Sequence, residues 1–510
     1  MTEHRPLRRE RERVRVAIVG TGFSGLGMAI RLKQEGEDDL VLLERAADIG
    51  GTWRDNTYPG CRCDVPSHLY SFSFAPNPNW SSTFSPQPEI LDYLKDCAER
   101  YGVMPHVRFE TEVESAAWDA EEERWQIETS NGPLTADVLI AAQGPLSEPS
   151  LPEVPGIDSF EGTAFHSAEW DHDHYLTGER VAVVGTGASA IQFVPEIQPK
   201  VGSLHVFQRT APWVIPDRNR PLKGWERALY RLFPPAQLAM RAGIYWARES
   251  FALQFRNRAV GKLLERIPLR HLKSQIEDPE LRRKLTPDYS LGCKRILPAD
   301  DWYPALAQPN VEVVTGGVTE IRPHSVVAED GTEREVDTII FGTGFHVTDV
   351  PIADRISGRD GLTLAEVWQG SMQAYKGTTV AGYPNLFFLV GPNTGLGHTS
   401  IVFMIESQIA YVLDALRTMR RSGARTVEVR EDAQAAYNAE LDRMTEGTVW
   451  VSGGCTSYYI DRNGHNSALW PTYTWPFRRR LREFDAAAYA LGTRASGPGV
   501  ERERAAAALA

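Results

Sequence analysis

Cysteine is scarce in this chain of 510 residues. Only five occur, at 61, 63, 97, 293 and 455, scattered and never spaced as CxxC. That argues against a disulfide framework, a thioredoxin-like redox pair and a four-cysteine zinc site, so no metal is expected. A reducing, cytoplasmic setting fits best. No run of 18 apolar residues occurs, which excludes a predicted membrane span. The first 15 residues hold six Arg but no apolar core, and Glu or His interrupts them four times; neither a secretory signal nor a transit peptide is expected. Positive charge is also short. A formal charge of −12 has the wrong overall sign for tracking a phosphate backbone or an anionic bilayer, so nucleic acid is not an expected partner.

What is present is globular material, 42% hydrophobic and 24% charged, enough for roughly three compact units. Short β-branched runs at Val14 to Val19, Val138 to Ala142, Val181 to Val184, Thr338 to Phe341 and Leu386 to Val390 suit buried parallel strands. Helical spacing follows the first (Leu26, Ala29, Ile30) and the third (Ile191, Val194, Ile197). The fold class predicted is α/β, with two Rossmann-like dinucleotide-binding domains. Between about 216 and 290, Leu229, Leu232, Phe233, Leu238, Ile244 and Phe251 alternate with Arg and Glu and are punctuated by proline, predicting a helical insertion in the second domain. The expected division is 1–146 and 376–510 for one domain and 147–375 for the other. A long amphipathic helix is predicted from Thr399 to Met419, and frayed ends at 1–12 and beyond about 494.

Gly20-Thr21-Gly22-Phe23-Ser24-Gly25 follows a strand and opens a helix, so backbone N–H groups can receive a pyrophosphate where side chains are absent. Glu44 ends the next strand, 24 residues after Gly20, where a carboxylate can accept ribose hydroxyls. Gly185-Thr186-Gly187-Ala188-Ser189-Ala190, leading into Ile191, is a second copy without that acid. Its following strand ends in Gln208-Arg209-Thr210, and a guanidinium at 209 would bind a 2'-phosphate that a carboxylate would repel. One site reads as FAD-binding and the other as NADPH-binding. The stretch Gly50-Gly51-Thr52-Trp53-Arg54-Asp55, running on through Tyr58-Pro59-Gly60-Cys61-Arg62-Cys63-Asp64 to Tyr70, offers small residues for close approach to a flavin ring and Trp53 as its cover. Cys61 and Cys63 lack clustered His and read as packing residues.

With these residues in hand, the sequence resembles the Baeyer–Villiger monooxygenases, a branch of the class B flavoprotein monooxygenases. Phe160 to Asp171 fits that family's FxGxxxHxxxW pattern followed by Pro or Asp, Gly51 to Asp64 fits GxWxxxxYPGxxxD, and Lys294-Arg295 fits its Lys-Arg pair. The resemblance spans about residues 14 to 480. It implies an NADPH- and dioxygen-dependent enzyme that turns a small-molecule ketone into an ester or lactone through a flavin peroxide anion. It assigns Arg295 as the catalytic arginine and Asp64 as the carboxylate that orients it. Arg cannot lose its charge, which suits stabilisation of anions in a dry site. In an extended segment neighbouring side chains point opposite ways, so Lys294 is expected to meet the NADPH phosphate while Arg295 faces the flavin. Tyr458 stands where many relatives carry a nicotinamide-covering Trp. His166 and Trp170 are expected as a signature at the domain junction rather than as catalytic groups. The alternatives are an N- or S-oxygenating enzyme, which does not require Arg295, a flavoprotein reductase, for which the iron–sulfur spacing is missing, and a non-catalytic redox sensor.

Overall fold

The strand Glu12–Val19 lies inside an eight-stranded sheet, parallel to Leu40–Leu43 on one side and to Leu134–Ala141 on the other. A computed structural model describes residues 11–492, and the frayed ends expected at 1–12 and beyond 494 fall outside it except that Glu12 already opens this strand. Val16, Ala17 and Ile18 are fully buried, because helices cover the face that carries Val16 and Ile18, while Trp118, Trp125 and Trp368 lie in the core on the face that carries Ala17. Past Leu40–Leu43 the sheet continues in parallel to Val107–Arg108. On the other side Arg124–Thr129 and Val113–Asp119 add antiparallel strands, and the short Ile356–Ser357 closes that edge.

Leu386–Phe388 pairs with Leu139, Ile140 and Ala141, the half of that strand which Arg124–Thr129 leaves open. It stops short of Val390, whose φ of +59° breaks the extended run. The helix that follows is Ile401–Ser422, two residues later than the sequence pattern places it. Ser400 Oγ accepts from Val402 N at 3.2 Å as its N-cap, and Gly423 at φ +67° ends it. This helix packs on Phe23–Gln34, where a Cβ on Gly27 would meet Ile409 at 3.0 Å. The C-terminal segment therefore returns to the first sheet.

The second sheet is wholly parallel, in the order Val311–Thr315, Ser203–Gln208, Arg180–Val184, Thr338–Phe341, Thr163–His166. Both sheets thus follow the doubly wound α/β plan that the sequence predicts. Between Ser203–Gln208 and Val311–Thr315 come seven helices, six of them from Gly224–Leu232 to Pro279–Lys284 and the last Trp302–Leu306. Proline starts two of them, Pro234–Glu249 and Pro279–Lys284, and the side-chain oxygens of Asn257 and Asp278 cap Arg258–Leu264 and Pro279–Lys284.

One expectation is overturned. The cysteine pattern argues against a disulfide framework and for a reducing setting, yet Cys293 and Cys455 form one disulfide with Cα atoms 6.3 Å apart, while Cys61, Cys63 and Cys97 are free and buried. The partners are 162 residues apart, so no local spacing announces them. Folding brings the segment before Lys294 against the loop that carries Tyr458, and Ser457 Oγ also donates to the Cys293 carbonyl at 3.0 Å.

Candidate functional site

The two glycine turns open onto one cavity of about 1000 Å3. Gly20 (φ +98°) and Gly185 (φ +110°) hold left-handed backbone, and a Cβ would approach Ala142 O to 3.0 Å at the first and Gly342 O to 2.4 Å at the second. Gly22 faces Gly51 so closely that a Cβ on Gly51 would lie 3.2 Å from its Cα. A Cβ on Gly187 would meet nothing within 4 Å, which leaves that turn open to the cavity. These are bare backbone cradles of the kind a pyrophosphate needs. Three buried side-chain oxygens on the cavity wall, Gln143 Oε1, Thr399 Oγ1 and Ser467 Oγ, have no hydrogen-bond partner within the protein. A large polar ligand such as FAD would supply partners for them.

The expected cofactor residues line this cavity, with four exceptions. Gly25, Ala190, Ile191 and Gln208 lie behind its wall. A Cβ on Gly25 would sit 1.9 Å from Gly20 O, so this glycine permits helix-on-strand packing; Ala190 and Ile191 are buried in their helix, and Gln208 turns inward to donate to Lys284 O at 2.9 Å.

Glu44 is buried at the cavity wall, with Thr21 Oγ1 donating to Oε2 at 2.5 Å and Arg54 at 2.8 Å from Oε1. Thr21 N donates to Oε2 as well, at 3.2 Å, and Ala46 N to Oε1 at 3.0 Å, so each oxygen already accepts two donors and a ribose hydroxyl would have to displace one of them. Trp53 Nε1 donates to Tyr70 Oη at 3.0 Å, and Tyr70 meets the Phe23 ring edge-on at 5.0 Å, so the aromatic wall is locked by its own contacts. Cys61 and Cys63 are buried; burial pushes the Cys61 thiol up to about 12 and the Cys63 thiol higher, which keeps both protonated and inert.

The centre of the site is a bidentate ion pair. Arg295 Nε and Nη2 donate to the two Asp64 oxygens, each at 2.6 Å. Burial works to raise the Asp64 carboxyl, but the Arg295 guanidinium overrides it and holds it below the usual carboxylate range. Asp64 in turn raises Arg295 well above its ordinary value. Lys294 points the other way, on a chain that bends at Cys293 and Lys294 rather than running extended as expected, and its Nζ donates to Thr210 Oγ1 at 3.1 Å. Burial lowers Lys294, and the neighbouring Arg209 lowers it further. Arg209 itself is exposed, and among the described residues it pairs with no carboxylate. Two cations and a hydroxyl therefore converge, opposed only in part by the nearby Asp288 carboxylate, and a 2'-phosphate would meet net positive charge there. Tyr458 lines the cavity, half-exposed, with its Oη donating to Tyr459 Oη at 2.8 Å.

Two contributors escape sequence reasoning. Arg248, in the helical insertion, donates from Nη2 to the Asp64 carbonyl at 2.7 Å, so a second guanidinium backs the pair. Gln192 clamps the Tyr58 to Asp64 segment: it accepts from Tyr58 Oη and Arg62 N at 3.2 Å and donates to Arg62 O at 3.1 Å. Its place three residues after Ser189, on the helix opened by the second fingerprint, is the only signal that could have found it. His166 is buried, with Nδ1 accepting from Ala168 N at 3.1 Å, and burial lowers it to about 4; Trp170 packs against Phe165 and Phe193. Neither lines the cavity, as expected for a signature that packs the junction.

Comparison with known proteins agrees with this geometry. The flavin-binding monooxygenase-like (FMO-like) family matches residues 13–356. A Baeyer–Villiger monooxygenase of Streptomyces coelicolor is 53% identical over 96% of this chain and 94% of its own, and one of Pseudomonas aeruginosa is 52% identical over 94% and 92%. Among solved structures, cyclohexanone monooxygenase from Rhodococcus sp. Phi1 bound to NADP+ superposes with a TM-score of 0.85 at 28% identity, covering 95% of this chain and all of that one. Sequence patterns, paired cradles and these relatives converge: the chain belongs to the Baeyer–Villiger branch of the flavin-binding monooxygenase family.

Proposed function

We propose that this enzyme converts a ketone to an ester or lactone, with Arg295 as its catalytic guanidinium and Asp64 as the carboxylate that orients it. The observation that carries the assignment is the bidentate pair, two bonds of 2.6 Å, on the wall of a cavity that reaches both glycine turns. In balance, ketone, dioxygen, NADPH and a proton give ester, water and NADP+. Bound FAD supplies hydride acceptance from NADPH and the activation of dioxygen. The protein's own residues do the rest. Arg295 offers a fixed positive charge where negative charge develops on oxygen, and it needs no reorganisation because Asp64 already holds its fork. Gly20, Gly22 and Gly51 leave backbone bare for the flavin dinucleotide, while Gly185, Gly187, Arg209, Thr210 and Lys294 serve NADPH. Trp53 and Tyr70 keep water from the reacting face.

The order of the strands supports a division into 1–146 with 376–510 for FAD and 147–375 for NADPH. No helix among the described residues is long and apolar enough to cross a membrane. A product screen by mass spectrometry, with NADPH, 18O-labelled dioxygen, cyclic, linear and aryl ketones and one thioether, tests the reading. Labelled ester is the expected product; sulfoxide alone would overturn the ketone assignment in favour of heteroatom oxygenation.

A further inference from the structure

The first two helices of the insertion are built inside out. In Gly224–Leu232 the charged Glu226 and the phenol of Tyr230 are buried, while Trp225, Leu229 and Leu232, one face by their spacing, are exposed. In Pro234–Glu249 the polar Gln237 and Glu249 are buried and Arg241 turns inward to the His68 carbonyl, whereas Leu238 and Trp246 face solvent. Phe233 joins the two helices, which pack on each other. A surface helix of a globular protein shows the opposite arrangement. The exposure is large: 64% for Trp225, 83% for Leu232, 60% for Trp246. Among the described residues 20 large hydrophobic side chains are exposed, and 12 of them fall between 225 and 269, so exposed apolar side chains are concentrated in the insertion.

Charge selects the partner. Residues 223–274 carry eleven Lys and Arg against three Asp and Glu, inside a chain whose formal charge is −12. Two of those three acids, Glu226 and Glu249, are buried, while Lys223, Arg231, Arg256, Arg258, Lys262 and Arg266 are exposed. The overall sign that opposes an anionic surface is therefore reversed on this segment. Tryptophan, leucine and phenylalanine outward, with exposed Lys223 and Arg231 on the same stretch, is the composition of a surface that lies in a bilayer interface and is drawn to anionic headgroups. A second copy of the chain fits worse, because a twofold contact would bring two positive surfaces face to face. We propose that the outer face of these two helices docks on an anionic lipid bilayer. The inner face of Pro234–Glu249 carries Arg248 onto Asp64, so the docked membrane lies across a single helix from the ion pair. The inference does not depend on which substrate is oxidised.

Vesicle flotation of the full-length holoenzyme tests it, using phosphatidylcholine alone and phosphatidylcholine mixed with phosphatidylglycerol. The expected result is flotation with the mixed vesicles, weakened more than roughly tenfold by removing the anionic lipid or raising the salt. The variant Trp225→Ser/Leu232→Ser/Trp246→Ser is expected to lose binding to a similar degree while keeping its FAD content and NADPH oxidation, and Lys223→Glu/Arg231→Glu to lose the preference for anionic lipid. Absence of flotation on mixed vesicles would overturn the proposal, as would equal binding by the triple variant. A dimer in light scattering that the triple variant dissociates, with no lipid binding, would assign the face to a second copy instead.

Discussion

Arg248 and Asp64 meet through the main chain: the guanidinium donates to the Asp64 carbonyl at 2.7 Å, while the carboxylate of the same residue is held by Arg295. Asp64 is thus gripped from two elements, the insertion and the segment after Cys293. Burial lowers Arg248, the Asp64 charge opposes that, and Arg295 pushes the same way as burial. Replacing Arg248 by Met keeps the stem and removes the donor. Turnover to ester should fall roughly tenfold or more, as for loss of one hydrogen bond to a charged group, with the KM for NADPH unchanged and part of the rate restored in Arg248→Lys. Steady-state kinetics with product analysis checks this; an unchanged rate would make the contact merely structural.

Arg295→Ala isolates the proposed catalytic step. FAD content and NADPH-driven bleaching of the flavin in stopped flow should survive, because neither needs this guanidinium. Ester formation should drop at least ~100-fold, the usual cost of losing one preorganised donor at a developing oxyanion. Asp64→Asn, which keeps the shape but not the charge, should lie between the variant and the native enzyme. Lactone production retained by Arg295→Ala would refute the role.

Arg209, Thr210 and Lys294 form a cationic corner that the Asp288 carboxylate offsets only in part. Removing one charge-assisted contact to a phosphate costs roughly 1.5–3 kcal/mol. Arg209→Ala should therefore raise the KM for NADPH by about 10- to 100-fold and leave that for NADH nearly untouched. Equal losses for the two cofactors would remove the 2'-phosphate from this corner.

Much of the site is legible before folding because its chemistry is local. A glycine turn needs its glycines within six residues, and Glu44 and Arg209 stand one strand further on. Arg295 and Asp64 are 231 residues apart, so only the family patterns join them in advance. Arg248 stays hidden for a different reason. Reading its helix by amphipathic pattern sends the charged face to solvent, whereas the structure turns Arg241, Arg248 and Glu249 inward and leaves Trp246 outside. The bond between Cys293 and Cys455 is equally unreadable, since one cysteine precedes the Lys-Arg pair and the other lies far along in the returning segment. Gly25 shows the limit of the fingerprint itself: its place in the motif predicts a cofactor contact, and the fold uses it for packing instead.

The insertion should respond to acid through His68. This residue is buried beneath Tyr230 with ring centroids 4.8 Å apart, its Nδ1 lies 3.2 Å from Gln237 Nε2, and burial lowers it from 6.5 to about 4. An unfolded chain takes up the proton near 6.5, whereas the folded protein resists it until about 4. Across that window the unfolded state binds more protons, so stability rises with pH. It is complete above 6.5 and falls progressively toward 4, by roughly 3 kcal/mol at most. His166, lowered to the same value by its own burial, adds a second acid-sensitive point at the domain junction. His68→Gln cannot titrate, and its melting temperature should therefore decline less steeply between these two pH values than that of the native protein. Parallel pH slopes for the two proteins would show that His68 is already protonated inside the fold, contrary to its burial against Tyr230 and Gln237.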